Sequence, residues 1–248
     1  LCKMTCARFV RYVLEKEGDV AAVIAEPLRA VPYIPPPGFW QEVRQACDEH
    51  GALLIFDEIP TGLGKTGRMF ACDHENVVPD ILVLGKALEG GILPIAAVLA
   101  KNELDVANDY AIGHYTHEKN PVTSQAALTT INIIEEENLV ENAAKIGDYA
   151  LQCLNQLKAV HPSIGDVRGR GFLIGVELVL DRESKRPGND LAEDVFYRCL
   201  DKGLSFKITM GNVLTLSPPL NLTRVQMDAA LEAIDTSLGE AEQSLDLS

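Results

Sequence analysis

The chain has 248 residues, 47% of them hydrophobic and 23% charged, with a formal net charge of −14. That length suits one large domain or two modest ones, and the composition excludes intrinsically disordered and fibrous classes. The acidic balance leaves no basic footprint for nucleic acid or an anionic membrane, and no apolar stretch reaches the roughly 18 residues that a spanning helix needs.

In chain order, residue 1 is Leu and not an initiator Met, and residues 5–18 already read as helix, with Val10, Val13 and Leu14 on one face. The chain is therefore expected to be a fragment whose N-terminal part is missing. VAAVIAE (20–26) is a continuous apolar run ending in a carboxylate. After the proline-rich YIPPPG (33–38) comes a helix with Val43, Cys47 and His50 on one face. ALLIFDE (52–58), ILVLGK (81–86) and LPIAAVLA (93–100) are further apolar runs without period-two alternation. Such runs are expected of strands buried on both faces, as in a mainly parallel sheet, and open α/β sheets hold their ligands beyond the C-terminal strand ends. Asn120 followed by Pro121 caps a helix running to about Glu137, and a second helix carries Ile146, Ala150, Cys153, Leu154 and Leu157 on one stripe. Short strands are expected within 165–178 and 205–217. The last helix opens on a capping box, Thr223 to Gln226, and carries Met227, Leu231, Ile234 and Leu238, with an acidic tail after Gly239 expected to fray. The division implied is 1–137 as a partial large domain and 138–248 as a smaller α+β domain. Six cysteines (Cys2, Cys6, Cys47, Cys72, Cys153, Cys199) are scattered through a chain too large to need staples, which suits reduced thiols in the cytoplasm.

Two motifs mislead. GLGKTG (62–67) contains Gly-Lys-Thr, but a phosphate loop needs glycine at position 59, where Ile59 stands, and needs a strand leading into it. His114 and His117 lack the glutamate of a zinc-protease helix and any third ligand nearby, so no metal site is expected. Asp57 and Lys86 carry more. Taken singly, Asp57 is a helix cap or salt-bridge partner and Lys86 a solvated strand-end lysine. Together they supply what pyridoxal phosphate chemistry asks of a protein: an amine to attach the cofactor, and an acid facing its pyridine nitrogen. An anionic carboxylate there favours the protonated nitrogen and makes the ring a better electron sink.

The segment LLIFDEIPTGLGKTGRMFACDHENVVPDILVLGKALEGGILPIAAVLA (53–100) resembles the signature of class III, or ω-type, aminotransferases. The resemblance continues through IAEP (24–27), PPPGFW (35–40), THEKNP (116–121), DVRGRGFLIGVEL (166–178) and NVLTLSPPL (212–220), nearly the whole chain. It implies an α/β chain of the fold type I pyridoxal-phosphate class, with a mainly parallel sheet in the large domain and a smaller C-terminal α+β domain. It also implies that an upstream part, carrying the phosphate-holding turn and the ring-stacking aromatic, is absent. By this resemblance Lys86 matches the lysine that binds pyridoxal 5'-phosphate covalently, Asp57 the pyridine-nitrogen partner, and Ile59 the aliphatic packed on one ring face. Thr116 matches the threonine reaching the cofactor phosphate of a partner subunit, which implies a homodimer with shared sites. Glu26 matches a glutamate near cofactor and substrate.

Three departures bear on substrate. Pro60 stands where the family usually has a glutamine bonding the cofactor's phenolic oxygen, and proline offers no donor. Thr215 stands where many members have an arginine that clamps an α-carboxylate, and threonine cannot form a bidentate charged fork. No acidic residue lies between Pro27 and Gln41, where several members have a glutamate masking that arginine. Arg29 is the new cation near the Glu26 strand end; as an anion-binding group it competes with the reading of a surface loop arginine. The expected activity is transfer of an amino group between an amine or amino acid and a keto acid or aldehyde. Two alternatives stand beside it: a lyase or racemase acting on an amino compound with a distal phosphate, phosphonate or other anion, and a truncated chain without activity.

Overall fold

The computed structural model describes residues 3–107, 109–110, 116–118 and 120–245. His114 and Cys2 lie outside them. These residues group into two compact units, one formed by 1–28, 35–63 and 69–138, the other by 29–34, 64–68 and 139–248.

The first unit holds a four-stranded sheet in sequence order, β1 (Ala22–Ala25), β2 (Leu53–Asp57), β3 (Ile81–Leu84) and β4 (Ala97–Ala100). The first three strands run parallel, with Ala25 opposite Phe56 and Asp57 opposite Val83, whereas β4 is antiparallel to β3. On one face Val23, Ala25, Leu54, Phe56 and Leu82 pack with α1 (Thr5–Glu17) and α2 (Phe39–His50). Trp40 of α2 sets its ring edge-on to Phe56, centroids 4.7 Å apart, and its indole N–H donates to the Pro27 carbonyl at 2.7 Å. Val43 and Cys47 are buried there, but His50, expected on the same face, is exposed at the helix end, where Gly51 in the left-handed region stops the helix. Alternation then turns Ile24 to the opposite face, where it is exposed. Asp80 ties the sheet's lower edge: it accepts from the Leu54 N–H, Arg44 and Lys101. Burial alone would raise its carboxyl, but those bonds outweigh burial and hold it down at about 2. The last helix of this unit, α3 (Pro121–Glu136), is capped by the Asn120 side chain accepting from the Val122 N–H.

The second unit is an antiparallel sheet covered by helices. Its strands are β5 (Ile164–Arg170), β6 (Leu173–Asp181), β7 (Arg186–Pro187), β8 (Lys207–Thr209) and β9 (Val213–Leu216), in the order β5-β6-β9-β8 with β7 on β6. Helices α4 (Leu139–Val160), α5 (Asn189–Asp201) and α6 (Arg224–Ser244) bury Ala150, Leu154, Val195, Leu231, Ile234 and Leu238 against it. The Thr223–Gln226 capping box is formed, and Met227 is buried behind it. The expected fraying after Gly239 does not occur: α6 continues to Ser244, with Ala241 and Glu242 buried. Glu242 stays because it accepts from the Ser163 N–H and hydroxyl and bonds to His161.

Candidate active site

The parallel register of β1, β2 and β3 sets three of the candidate residues at one sheet edge. Glu26 directly follows β1, Asp57 ends β2, and Lys86 follows β3 after Gly85. Because Ala25 faces Phe56 and Asp57 faces Val83, the three strand ends lie side by side at the C-terminal edge, where such sheets bind ligands. Asp57 is half-buried and points away from Phe56, off the packed face. One of its oxygens accepts the Ile59 N–H at 3.0 Å; the other has no hydrogen-bond partner among the described residues.

The loop after Asp57 is held by its neighbour. Glu58 is fully buried; its two carboxylate oxygens accept from the Thr61 hydroxyl at 2.6 Å and the Cys72 N–H at 2.8 Å, and its backbone carbonyl accepts the Gly62 N–H. Burial, with the Glu58 carboxylate beside it, pushes the Cys72 thiol up to about 12, so it is no nucleophile. The paired D-E after an apolar run, with a hydroxyl three residues on, is a sequence signal for this brace that the sequence reading did not use.

Lys86 opens a short 3-10 turn, Lys86–Glu89, with φ +48. The left-handed region costs a non-glycine residue about 1–3 kcal/mol, and such residues concentrate at ligand clamps and active sites. The turn is fastened by Glu89, which is buried and accepts from the Ile92 and Leu93 N–H groups, and α3 packs against it. The Lys86 side chain is exposed and makes no hydrogen bond or ion pair among the described residues.

Of the remaining candidates, Thr116 falls in the first unit and Arg29 and Thr215 in the second. Thr116 is exposed in a three-residue turn whose flanking residues lie outside the described set. Arg29 falls in the second unit, on a tight loop closed by two backbone bonds with Tyr33; its exposed side chain is unpaired among the described residues. Thr215 is buried in β9 with its hydroxyl 2.7 Å from that of Thr209, a pairing across β8 and β9 that spacing alone did not reveal. Lys65 of the misleading GLGKTG motif is the rival amine: burial pushes it down to about 8. Its ammonium donates to the Pro218 carbonyl at 2.7 Å, however, and no carboxylate is seen to pair with it among the described residues.

Pyridoxal phosphate needs a reachable amine, a carboxylate free to meet a ring nitrogen, and an apolar surface between them. The strand-end residues fit. Lys86 supplies the unpartnered amine and Asp57 the open oxygen. A side chain built at Gly85 would meet Ile59 at 3.5 and 3.6 Å, so the missing Cβ leaves the aliphatic group bare beside the lysine's own strand end.

The sequence pattern of the family described as Aminotransferase class-III matches residues 2–238. The chain is 42% identical over 240 residues to the (R)-1-hydroxy-2-aminoethylphosphonate ammonia-lyase of Vibrio splendidus (strain 12B01), an alignment covering 96% of this chain and 50% of the relative. It is 40% identical over 248 residues to the leucine/methionine racemase of Thermococcus litoralis, covering 98% and 56%. Among solved structures, a Bacillus anthracis aminotransferase superposes with a TM-score of 0.90 at 34% identity, covering 95% of this chain and 56% of that one. The chain thus spans about half the length of the curated relatives it matches.

Proposed function

The chain belongs to the class-III aminotransferases, and from that membership we propose that the protein carrying it is a pyridoxal-phosphate-dependent aminotransferase. It moves an amino group between an amine or amino acid donor and a keto acid or aldehyde acceptor. The observation that carries this reading is the placement of Asp57 and Lys86 at neighbouring parallel strand ends, with Ile59 against Gly85 between them.

When bound, pyridoxal phosphate supplies an electron sink for the bonds at the amino-bearing carbon. Lys86 would hold the cofactor through Nζ and, freed by the incoming amine, move a proton at that carbon. Asp57 would keep a proton on the pyridine nitrogen, because a fixed anion favours the charged form of its partner. Ile59 would keep water from one ring face. Glu26 would line the same edge, and Thr116 would reach the cofactor phosphate of a partner subunit in a homodimer. A cytoplasmic location belongs to the same proposal; no helix among the described residues is long and apolar enough to cross a membrane.

A second reading, a lyase or racemase of the same family, is favoured by a specific feature of β9. Thr215 spends its hydroxyl on Thr209 where an arginine would clamp an α-carboxylate, and relatives about as similar include an ammonia-lyase and a racemase. Arg29 is then the candidate partner for a distal anion on the substrate. Product analysis separates the readings: the complete protein is incubated with amines, α-amino acids and phosphono-amino compounds, with and without a keto acid. Transamination requires the keto acid and converts it to an amino acid. Ammonia release or inversion of configuration without an acceptor would instead establish the second reading, and inertness of every compound would sink both.

A further inference from the structure

The second unit carries an open, groove-like cavity of about 550 Å³ between one face of α5 and the strand β8. That volume lies within the range of small-molecule sites, about 300–1,000 Å³. From the helix it is lined by Asp190, Glu193, Phe196 and Tyr197, which share one face at helical spacing, and from the strand side by Phe206 and Lys207. The aromatic residues form a continuous apolar floor. Phe196 and Phe206 meet edge-to-face with centroids 5.5 Å apart, and Tyr197 stands 5.3 Å from Phe196. The β8–β9 turn closes one end at Gly211, where a Cβ would come within 2.9 Å of the Asn189 side-chain oxygen.

The charges of α5 divide sharply between its faces. Away from the cavity, Asp194 pairs with Arg198 at 3.0 Å, and Arg198 and Lys202 both reach Glu240, at 3.4 and 2.9 Å. At the cavity, Asp190 and Glu193 make no hydrogen bond or ion pair among the described residues, and neither does Lys207. Asp190 lies in the first turn, where the positive end of the helix partly answers it. Glu193, one turn in, has no such partner. The lip thus carries two carboxylates against one ammonium above an aromatic floor.

We propose that this cavity binds an apolar organic ammonium, an amine with an aromatic or alkyl body, its charge held by Glu193 and Asp190 and its body laid on Phe196, Tyr197 and Phe206. Aromatic faces and carboxylates attract the same organic cations. A second copy of this chain, at net charge −14, is repelled by an acidic lip, and an inorganic divalent cation gains nothing from an aromatic floor. No lining residue belongs to the cofactor-holding set, so the proposal goes beyond the proposed reaction.

The test uses a cation that cannot enter amino-group chemistry, so that its outcome is independent of the Lys86 reading. N,N-dimethyl-2-phenylethylammonium is titrated into the complete protein by calorimetry, beside 3-phenylpropionate and 2-phenylethanol. The expected result is a dissociation constant of about 1 mM or lower for the cation, with the anion and the alcohol at least about threefold weaker. Glu193→Gln and Tyr197→Ala should each weaken the cation about threefold or more while leaving cofactor absorbance and thermal midpoint unchanged. Equal affinity for the three probes, tighter binding of the anion, no measurable binding of the cation, or affinity unmoved by both substitutions would overturn the proposal.

Discussion

His161 is a buried imidazole held between two carboxylates. Its Nδ1 lies 2.7 Å from Glu242 and its Nε2 2.7 Å from Asp235, an arrangement that favours the protonated ring, which can donate from both nitrogens. Burial opposes that charge, but the bonds to Asp235 and Glu242 together outweigh it, and the imidazolium is held above its ordinary range. The unfolded chain releases this proton near 6.5. With the folded value raised, the stabilisation is complete below the unfolded value and disappears as the pH rises through the folded one. Unfolding by denaturant between about pH 5.5 and 9 should therefore show stability falling toward the alkaline end. His161→Gln should flatten that slope and cost about 1–3 kcal/mol near pH 6, because Glu242 is left buried without a cation. A wild-type profile as flat as that of the variant would remove the imidazolium from the account. This contact also explains why the sequence misreads the chain's end. The tail after Gly239 is acidic and looks soluble, and only a histidine 81 residues away in sequence makes Glu242 a buried partner.

At the scale of elements, two helix glycines predict opposite outcomes of one substitution. A Cβ on Gly147 of α4 would lie 2.2 Å from the Gly171 carbonyl oxygen. Gly171 itself has φ +54 and would press a Cβ within 2.4 Å of the Thr66 backbone. The loop 64–68 is thus pressed backbone to backbone against the β5–β6 turn, and Phe172 donates its N–H to the Lys65 carbonyl at 2.8 Å. In α6, by contrast, a Cβ on Gly239 meets only His161 Cε1 at 3.9 Å. Alanine gains about 0.5–1 kcal/mol over glycine in any helix interior. Gly239→Ala should accordingly raise the thermal midpoint by roughly 1–4 °C, while Gly147→Ala, which forces backbone apart, should lower it by several degrees. Midpoints moving in the same direction would contradict this packing. The strands and stripes were legible because apolar runs and helical spacing are local signals: β1 to β3 fall inside their apolar runs, and α4 buries Ala150 and Leu154 as its spacing implies. The expected burial on both sheet faces is not seen, since Ile24, Val98 and Leu99 are exposed on strands β1 and β4. The seam was not legible, since nothing local marks Gly147 and Gly171 as touching. His50 was misplaced because helical spacing continued to a helix end that the core no longer reaches.

For the whole molecule, the account rests on which amine is placed for the cofactor. The placement of Asp57 and Lys86 at neighbouring strand ends was legible because each follows an apolar run with a polar residue, and parallel pairing brings such ends together. The grouping of 29–34 and 64–68 with the second unit was not, because it depends on tertiary close approach. It has a consequence for chemistry: Lys65 and Lys86, 21 residues apart in sequence, belong to different units. Judged by basicity alone, Lys65, pushed down to about 8 by burial, is a candidate nucleophile near neutral pH. Judged by geometry, Lys86 follows the strand that neighbours the one ending in Asp57, with left-handed backbone and no competing partner among the described residues. Borohydride trapping of the complete protein loaded with pyridoxal phosphate, followed by peptide mapping, decides between them. The account predicts a reduced adduct on Lys86 and its loss, with the visible cofactor absorbance, in Lys86→Ala; an adduct on Lys65 or any other lysine in the unmutated protein would contradict it.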